Sequence, residues 1–329
     1  MLNIGIIGYG KIGKIRHNIL RKIKGINILL ICDNNIKKSK IGSIKLTTQP
    51  YDIIKNKDIK IVFISLPNYL NKKYTIEAIK NKKHVFCEKP PALNSKDVKE
   101  IIKYEKKNKI KLMYGFNHRE HGSVRKIKEL VESKKFGNIL WMRGRYGKSV
   151  DKNFFNDWRS IKKYAGGGIL LDQGIHMLDL FLYLGKEFDK VKSSVSNLYW
   201  NLDIEDNVFV ILENTKNKIS ASLHSTMTQW RHLFSLEIFM EKGYLVLNGL
   251  KTSSNSYGKE VLTIAKNRSL PPEASWSKEI KKIYKLDNSF ENEIKYFLNA
   301  IKTNSEIKKG NSKDALKVMI LIDKIYKNK

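Results

Sequence analysis

The hexapeptide GYGKIG, residues 8–13, constrains the fold more than any other stretch because of what flanks it. It follows the apolar run Leu2–Ile7 and opens an amphipathic stretch over 11–23. A second apolar run, Asn27–Cys32, then ends on Asp33. Glycines at a strand-to-helix turn, with an acid about twenty residues on, have a physical task. Gly8 permits the tight turn, Gly10 lets backbone approach a pyrophosphate, and Gly13 lets helix and strand pack closely. Tyr9, Lys11 and Ile12 complete the loop, whose free N–H groups at the helix start attract negative charge. Asp33 is placed to accept hydrogen bonds from ribose hydroxyls. It would repel a 2′-phosphate, which favours NAD. Lys37 and Lys38 follow closely enough to keep NADP open. The plain alternative is a glycine-rich turn that holds no ligand.

The first 118 residues alternate short apolar runs with amphipathic stretches. Strands are predicted at Leu2–Ile7, Asn27–Cys32, Ile61–Ser65, His84–Cys87 and Lys111–Phe116. Helices are predicted near 11–23, 69–82 and 95–108, the last with Ser95 as N-cap. That is the pattern of βαβ units and a parallel sheet. After Asn117 the character changes. A helix near 121–133 and a strand at 138–147 precede an irregular stretch. Next comes GGGILLDQGIHMLDL, residues 166–180, read as a helix ending at Gly185. Alternating runs follow (KVKSSVSNLYW, DNVFVILEN, KISASLHSTMT, LFSLEIFME, YLVLNG), as expected of a largely antiparallel sheet. Helices near 288–303 and 312–327 close the chain. The expectation is an α/β protein with two domains. Residues 1–118 form a dinucleotide-binding domain. Residues 119–329 form a substrate-binding and oligomerisation α/β domain with an open, largely antiparallel sheet.

Composition narrows the partners. No run approaches the roughly 18 apolar residues of a membrane helix, and the N-terminus is short, glycine-interrupted and without a basic leader, unlike a signal peptide. Cys32 and Cys87 each end an apolar run and read as small core residues, which fits a reducing, cytoplasmic setting. The formal charge of +31 would by itself suggest nucleic acid, an anionic membrane or an acidic substrate. Lysine supplies nearly all of it, spread over every predicted helix beside abundant isoleucine and asparagine, as A+T-rich codon usage produces. The charge therefore reads as a solvated surface, with no nucleic-acid or membrane partner expected. A dianionic substrate could still gain from the field.

CEKPP at 87–91 adds a third element. A GxGxxG turn, then Glu-Lys-Pro after a later strand, then GGG…D…H in the second half together resemble the Gfo/Idh/MocA oxidoreductases. The resemblance implies a Rossmann domain followed by an α/β domain whose open sheet often joins subunits, so a homodimer or homotetramer. It also implies NAD(P)-dependent hydride transfer on a hydroxyl-bearing carbon of a sugar, nucleotide-sugar or polyol. Lys89, Asp172 and His176 match the family's lysine, aspartate and histidine. LPNYL at 66–70 matches its cofactor-contacting segment, and the resemblance as a whole places Leu66, Pro67, Asn68, Glu88 and Lys89 with the cofactor. Leu66 replaces the usual threonine, and Asn71 stands where histidine is common.

The residue types suit that chemistry. A histidine can take a hydroxyl proton at neutral pH, and a lysine ammonium can stabilise the developing alkoxide. Asp172 and His176 are four apart, so on a regular helix they share a face, with Cβ atoms about 5–6 Å apart. Asp172 could orient the lysine or contact substrate, and Asp179 could fix the tautomer of His176. Gly166–Gly168 could admit a ligand or simply turn the chain. Asn117, Arg119, Trp158, Arg159 and Gln173 are candidate substrate contacts. Trp230 and Arg231 are further aromatic–arginine candidates that would equally suit a subunit interface. The histidines lack metal-ligand spacing, so no metal is expected. Three rival readings are a family member with retained cofactor performing internal redox chemistry, a non-catalytic dinucleotide-binding regulator, and a nucleic-acid-binding protein.

Overall fold

The structure is a computed structural model that describes residues 1–36, 39–266 and 278–328. Lys37 and Lys38, weighed above in the choice of cofactor, lie outside the described residues. The chain divides into two compact units, Met1–Phe116 with Phe290–Met319, and Asn117–Ser289 with Ile320–Lys329.

The first unit runs β1 (Leu2–Ile7), α1 (Lys11–Leu20), β2 (Ile26–Cys32), β3 (Lys40–Ile41), β4 (Ile44–Thr47), α2 (Pro50–Ile54), β5 (Ile61–Ile64), α3 (Asn68–Lys80), β6 (His84–Cys87), α4 (Ser95–Asn108) and β7 (Leu112–Tyr114). Its sheet has the order β3-β4-β2-β1-β5-β6-β7 and is parallel except for the β3–β4 pair. Central strands such as β5 are buried at every residue, because helices cover both faces of a parallel sheet. The start of α4 differs from expectation: Asn94, not Ser95, is the N-cap, its Oδ1 accepting from Asp97 N at 3.0 Å. Asn94 has the extended backbone that a cap requires, whereas Ser95 is already helical.

The second unit contains α5 (Gly122–Glu132), β8 (Ile139–Ser149), α6 (Lys162–Ala165), α7 (Ile175–Gly185), β9 (Lys190–Ser196), β10 (Asn207–Asn214), β11 (Ile219–Thr226), β12 (Thr228–Met240), β13 (Gly243–Asn248), β14 (Glu260–Lys266) and β15 (Ile280–Tyr284). They form an eight-stranded sheet of order β15-β14-β13-β12-β8-β11-β10-β9, in which only β8 and β11 pair in parallel. One face packs against α7, with Leu223, Met142 and Gly144 buried beneath it. The other face carries Trp141 stacked on Phe239 at 4.2 Å, Tyr244 beyond it at 5.1 Å, and Phe209 stacked on His224 at 4.0 Å.

Two helices close the chain, α8 (Ser289–Lys302) and α9 (Ser312–Lys327). Residues 290–319 were expected in the second domain but belong to the first unit. The cause is apolar packing: Ile294, Phe297 and Leu298 of α8 join the core of Ile4, Ile6, Phe63 and Phe86. Phe297 stands edge-on to Phe63 at 6.0 Å and to Phe86 at 5.5 Å. Among the described residues no helix is long and apolar enough to cross a membrane.

Candidate functional site

In the first unit the glycines of 8–13 have separate tasks. Gly8 has φ +94°, and a Cβ there would collide with the Ser65 carbonyl and meet Leu66 Cδ2 at 3.2 Å. A Cβ on Gly13 would collide with the Gly8 carbonyl, so these two glycines let the turn and helix pack. Gly10 differs, since a Cβ there would meet nothing within 4 Å among the described residues. It is the N-cap of α1, with no side-chain cap hydrogen bond and no acidic residue in the first turn. Uncapped N–H groups at a helix start beside open space fit an anion such as a pyrophosphate. Lys11 and Ile12 begin that helix. Asp33 Oδ2 accepts from Tyr9 N at 2.6 Å and Oδ1 from Asn35 N at 2.9 Å, which fixes the acid at the end of β2. The Tyr9 hydroxyl meets His17 Nδ1 at 2.6 Å, and burial raises the Tyr9 pKa.

Glu88 and Lys89 follow β6. Glu88 is 2.6 Å from the wholly buried Arg16 of α1, and Arg16 also meets Glu293 of α8 at 2.6 Å. The guanidinium lies over the rings of Phe86 at 4.5 Å and Phe290 at 4.7 Å. Burial alone would lower the Arg16 pKa, but Glu293 and Glu88 more than offset it, and the net shift is upward. Glu88 thus acts here as an anchor, and Lys89 is half-buried next to it in a cis Lys89–Pro90 turn. Asn71 supports that turn, its amide nitrogen donating to the Pro90 carbonyl at 2.8 Å. Leu66 and Pro67 are half-buried ahead of α3, and Asn68 is buried in its first turn.

In the second unit, Gly166 ends α6 in the left-handed region (φ +84°). A Cβ on Gly167 would strike the Tyr326 hydroxyl, and one on Gly168 the Glu205 carbonyl. The Glu205 carboxylate accepts from Gly168 N at 2.8 Å, Leu170 N at 3.1 Å and the Tyr326 hydroxyl at 2.8 Å. The chain then makes a π-helical turn, Leu170–Gly174, with Ile175 N–H donating to the Leu170 carbonyl, before α7 begins. The regular-helix register expected between Asp172 and His176 is therefore interrupted, because this wider turn sits between them. Such turns recur at functional sites.

Asp172 Oδ2 accepts from Lys148 of β8 at 2.5 Å, and Arg159 Nε lies 3.9 Å from Oδ1. His176 is buried, with the ring of His118 stacked on it at 3.7 Å. The Tyr146 hydroxyl lies 2.9 Å from His118 Nε2, and Tyr257 donates to Gln173 Oε1 at 3.4 Å. Burial, with Tyr257 and Asp172 nearby, pushes the Tyr146 phenol well up, so it stays a neutral hydroxyl. Asp179 accepts from Arg119 with both oxygens, at 2.6 and 2.8 Å. Asn117 donates to Ser289 Oγ at 3.1 Å. Arg159 lies over Trp158 at 4.4 Å and pairs with Asp157 at 3.2 Å. Trp230 is 65% exposed, among Tyr199 and Trp200, and Arg231 is exposed beside it.

Asp172, Gln173 and His176 thus share one neighbourhood with Lys148, Tyr146, Tyr257 and His118, four residues the sequence reading passed over. Lys148 of β8 pairs with an acid 24 positions on, in the π-helical turn, which no local pattern signals. His118 sits between Asn117 and Arg119, both of which were singled out, so its position at a strand end was a usable clue. Among the described residues no group of three His, Cys, Asp or Glu is arranged to hold a metal ion.

Residues 2–116 match the model of an oxidoreductase family with an NAD-binding Rossmann fold, and residues 124–246 match the GFO/IDH/MocA C-terminal domain. Levoglucosan dehydrogenase of Pseudarthrobacter phenanthrenivorans is 31% identical over 146 residues, 44% of this chain but only 37% of that protein. Myo-inositol 2-dehydrogenase of Thermotoga maritima is 28% identical over 268 residues, 77% of each chain. A solved structure of levoglucosan dehydrogenase in complex with NADH and levoglucosan shares the fold, with TM-score 0.85 at 23% identity over 99% of this chain and 96% of that one. Two models of one family, covering both halves of the fold, settle the affiliation: this chain belongs to the Gfo/Idh/MocA oxidoreductases.

Proposed function

We propose that this chain is an NAD(P)-dependent dehydrogenase acting on a hydroxyl-bearing carbon of a sugar, nucleotide-sugar or polyol. The observation that carries the reading is the opening at Gly10, where a Cβ would meet nothing within 4 Å among the described residues, at an uncapped helix start. Levoglucosan and inositol dehydrogenases among the relatives support a carbohydrate-type substrate. Bound nicotinamide would supply the hydride acceptor. NAD is favoured by Asp33, whose carboxylate is fixed at the end of β2.

His176 takes the hydroxyl proton as general base, and the Lys89 ammonium stabilises the charge that develops on the reacting oxygen. Asp172, held by the Lys148 ion pair, is the proposed acceptor for a substrate hydroxyl. Trp158, Arg159 and Gln173 are the proposed substrate contacts. Asn117 and Arg119 are tied to Ser289 and Asp179, and serve the wall behind them. A second copy of the chain is proposed on the open sheet face, where Phe209 and Ile211 are half exposed at 52% and 53%. The two buried free thiols, each pushed up to about 12, support a cytoplasmic setting.

The test combines Lys89→Ala with a polyol and nucleotide-sugar screen read by NADH absorbance, run with both cofactors. NAD binding should survive while turnover falls by about two orders of magnitude or more. Undiminished turnover removes Lys89 from the mechanism, and turnover without added cofactor points to internal redox chemistry.

A further inference from the structure

We propose that His118 is a positioning residue that holds His176 in plane and accepts its charged form across the ring face. The inference rests on the reading of His176 as the base. The two imidazoles are stacked with centroids 3.7 Å apart and planes 17° from parallel, and both are buried. Polar groups on both edges fix His118. The Asn117 amide nitrogen donates to Ser289 Oγ, which turns its carbonyl oxygen toward His118 Nδ1 at 3.2 Å. That oxygen only accepts, so Nδ1 carries the proton. Nε2 faces the Tyr146 hydroxyl at 2.9 Å, where it can accept that group's proton. With Tyr146 donating, His118 acts as a neutral ring.

A neutral ring suits the task. When His176 gains a proton, an uncharged π face 3.7 Å away stabilises the imidazolium, whereas a second imidazolium would oppose it strongly. His121, Asp172 and Asp179, near the pair, each have a partner. His121, 5.7 Å from His118, is hydrogen-bonded to Glu260 at 3.0 Å with Asp287 at 3.9 Å. Asp172 is held by Lys148, and Asp179 by Arg119. Tyr146 and Tyr257 remain neutral phenols because burial raises both. Asn117 and Tyr146 therefore set the state of His118.

The experiment measures kcat/KM against pH in the oxidation direction. Asn117→Asp places a carboxylate on Nδ1–H and favours a His118 imidazolium, which resists a second proton on His176. The acid limb should move to lower pH by about half a unit or more. In Asn117→Asp combined with His118→Phe only the new carboxylate acts, so the limb should stay or move to higher pH. The opposite signs separate coupling through His118 from a direct charge effect. His118→Phe alone keeps a stacked ring and should retain kcat within about threefold, whereas His118→Ala should lose about tenfold at unchanged NAD affinity. Equal shifts with and without His118, or wild-type kcat in His118→Ala, would overturn the proposal. If His118→Ala does not fold, the two Asn117→Asp proteins still decide. His176→Asn tests the underlying reading separately: undiminished turnover there defeats the base assignment, whereas its loss beside unaffected His118 variants defeats only this inference.

Discussion

Two glycine-rich turns each lead the chain into a helix, and they do opposite work. In GYGKIG, Gly8 and Gly13 are filled by neighbouring backbone, while Gly10 faces open space at the start of α1. In Gly166–Gly168, Gly167 and Gly168 are blocked by Tyr326 and Glu205, and the Glu205 carboxylate caps the N–H groups of the turn. One turn leaves a helix start uncapped; the other spends its glycines and a buried acid on its own packing. Glycine content alone does not mark a ligand site. What an added Cβ would touch does.

The largest effect should come from Gly168→Ala. The new methyl meets the backbone carbonyl of Glu205, which cannot swing aside as a flexible side-chain end can. A cost of about 3 kcal/mol is expected, or roughly 4 °C in melting temperature for a chain of this length. An unchanged melting temperature would show that this turn has slack. Gly10→Ala is the converse case. Its backbone, φ −69° and ψ −161°, is open to alanine, so the melting temperature should stay within about 1 °C. NAD should bind about tenfold or more weakly, a loss of roughly 1.4 kcal/mol or more, as titration calorimetry would show. If Gly10→Ala bound NAD normally, the contrast between the two turns would collapse.

The contrast also shows which parts of the molecule the sequence discloses. The Gly8–Gly13 turn, its flanking strands and Asp33 are local, and central parallel strands read as unbroken apolar runs, so most of the first sheet was legible. Lys89, Asp172 and His176 stood out through the order of three motifs. What stayed hidden depends on distant partners. The apolar stripe of α8 announces packing, but nothing in Ile294 or Phe297 says that the partner is Phe63. β15 reads IKKIY, too charged and exposed to suggest a strand. The Lys148–Asp172 pair, the stack of His118 on His176 and the π turn all arise from how β8 and the Asn117–Glu120 turn meet α7 and the segment before it.

The smallest effect probes the second turn through one atom. Tyr326→Phe removes the hydroxyl that donates to Glu205 and that blocks a Cβ at Gly167. Loss of that bond should cost about 1 kcal/mol. The same deletion should make room at Gly167, so Gly167→Ala should cost less in the Tyr326→Phe background, a coupling that a double-mutant cycle measures. Acidity provides a second readout. Burial raises the Glu205 pKa, against the donors at Gly168, Tyr326 and Leu170. An acid raised on folding binds more protons folded than unfolded, so its contribution is greatest at low pH. That contribution declines as pH climbs from about 4.3 through the raised value. Without the Tyr326 donor the Glu205 pKa rises further, and the decline should extend to higher pH in Tyr326→Phe than in the parent. Coincident stability–pH curves would mean that the three backbone and hydroxyl donors do not control this acid, and the second turn would lose its self-contained character.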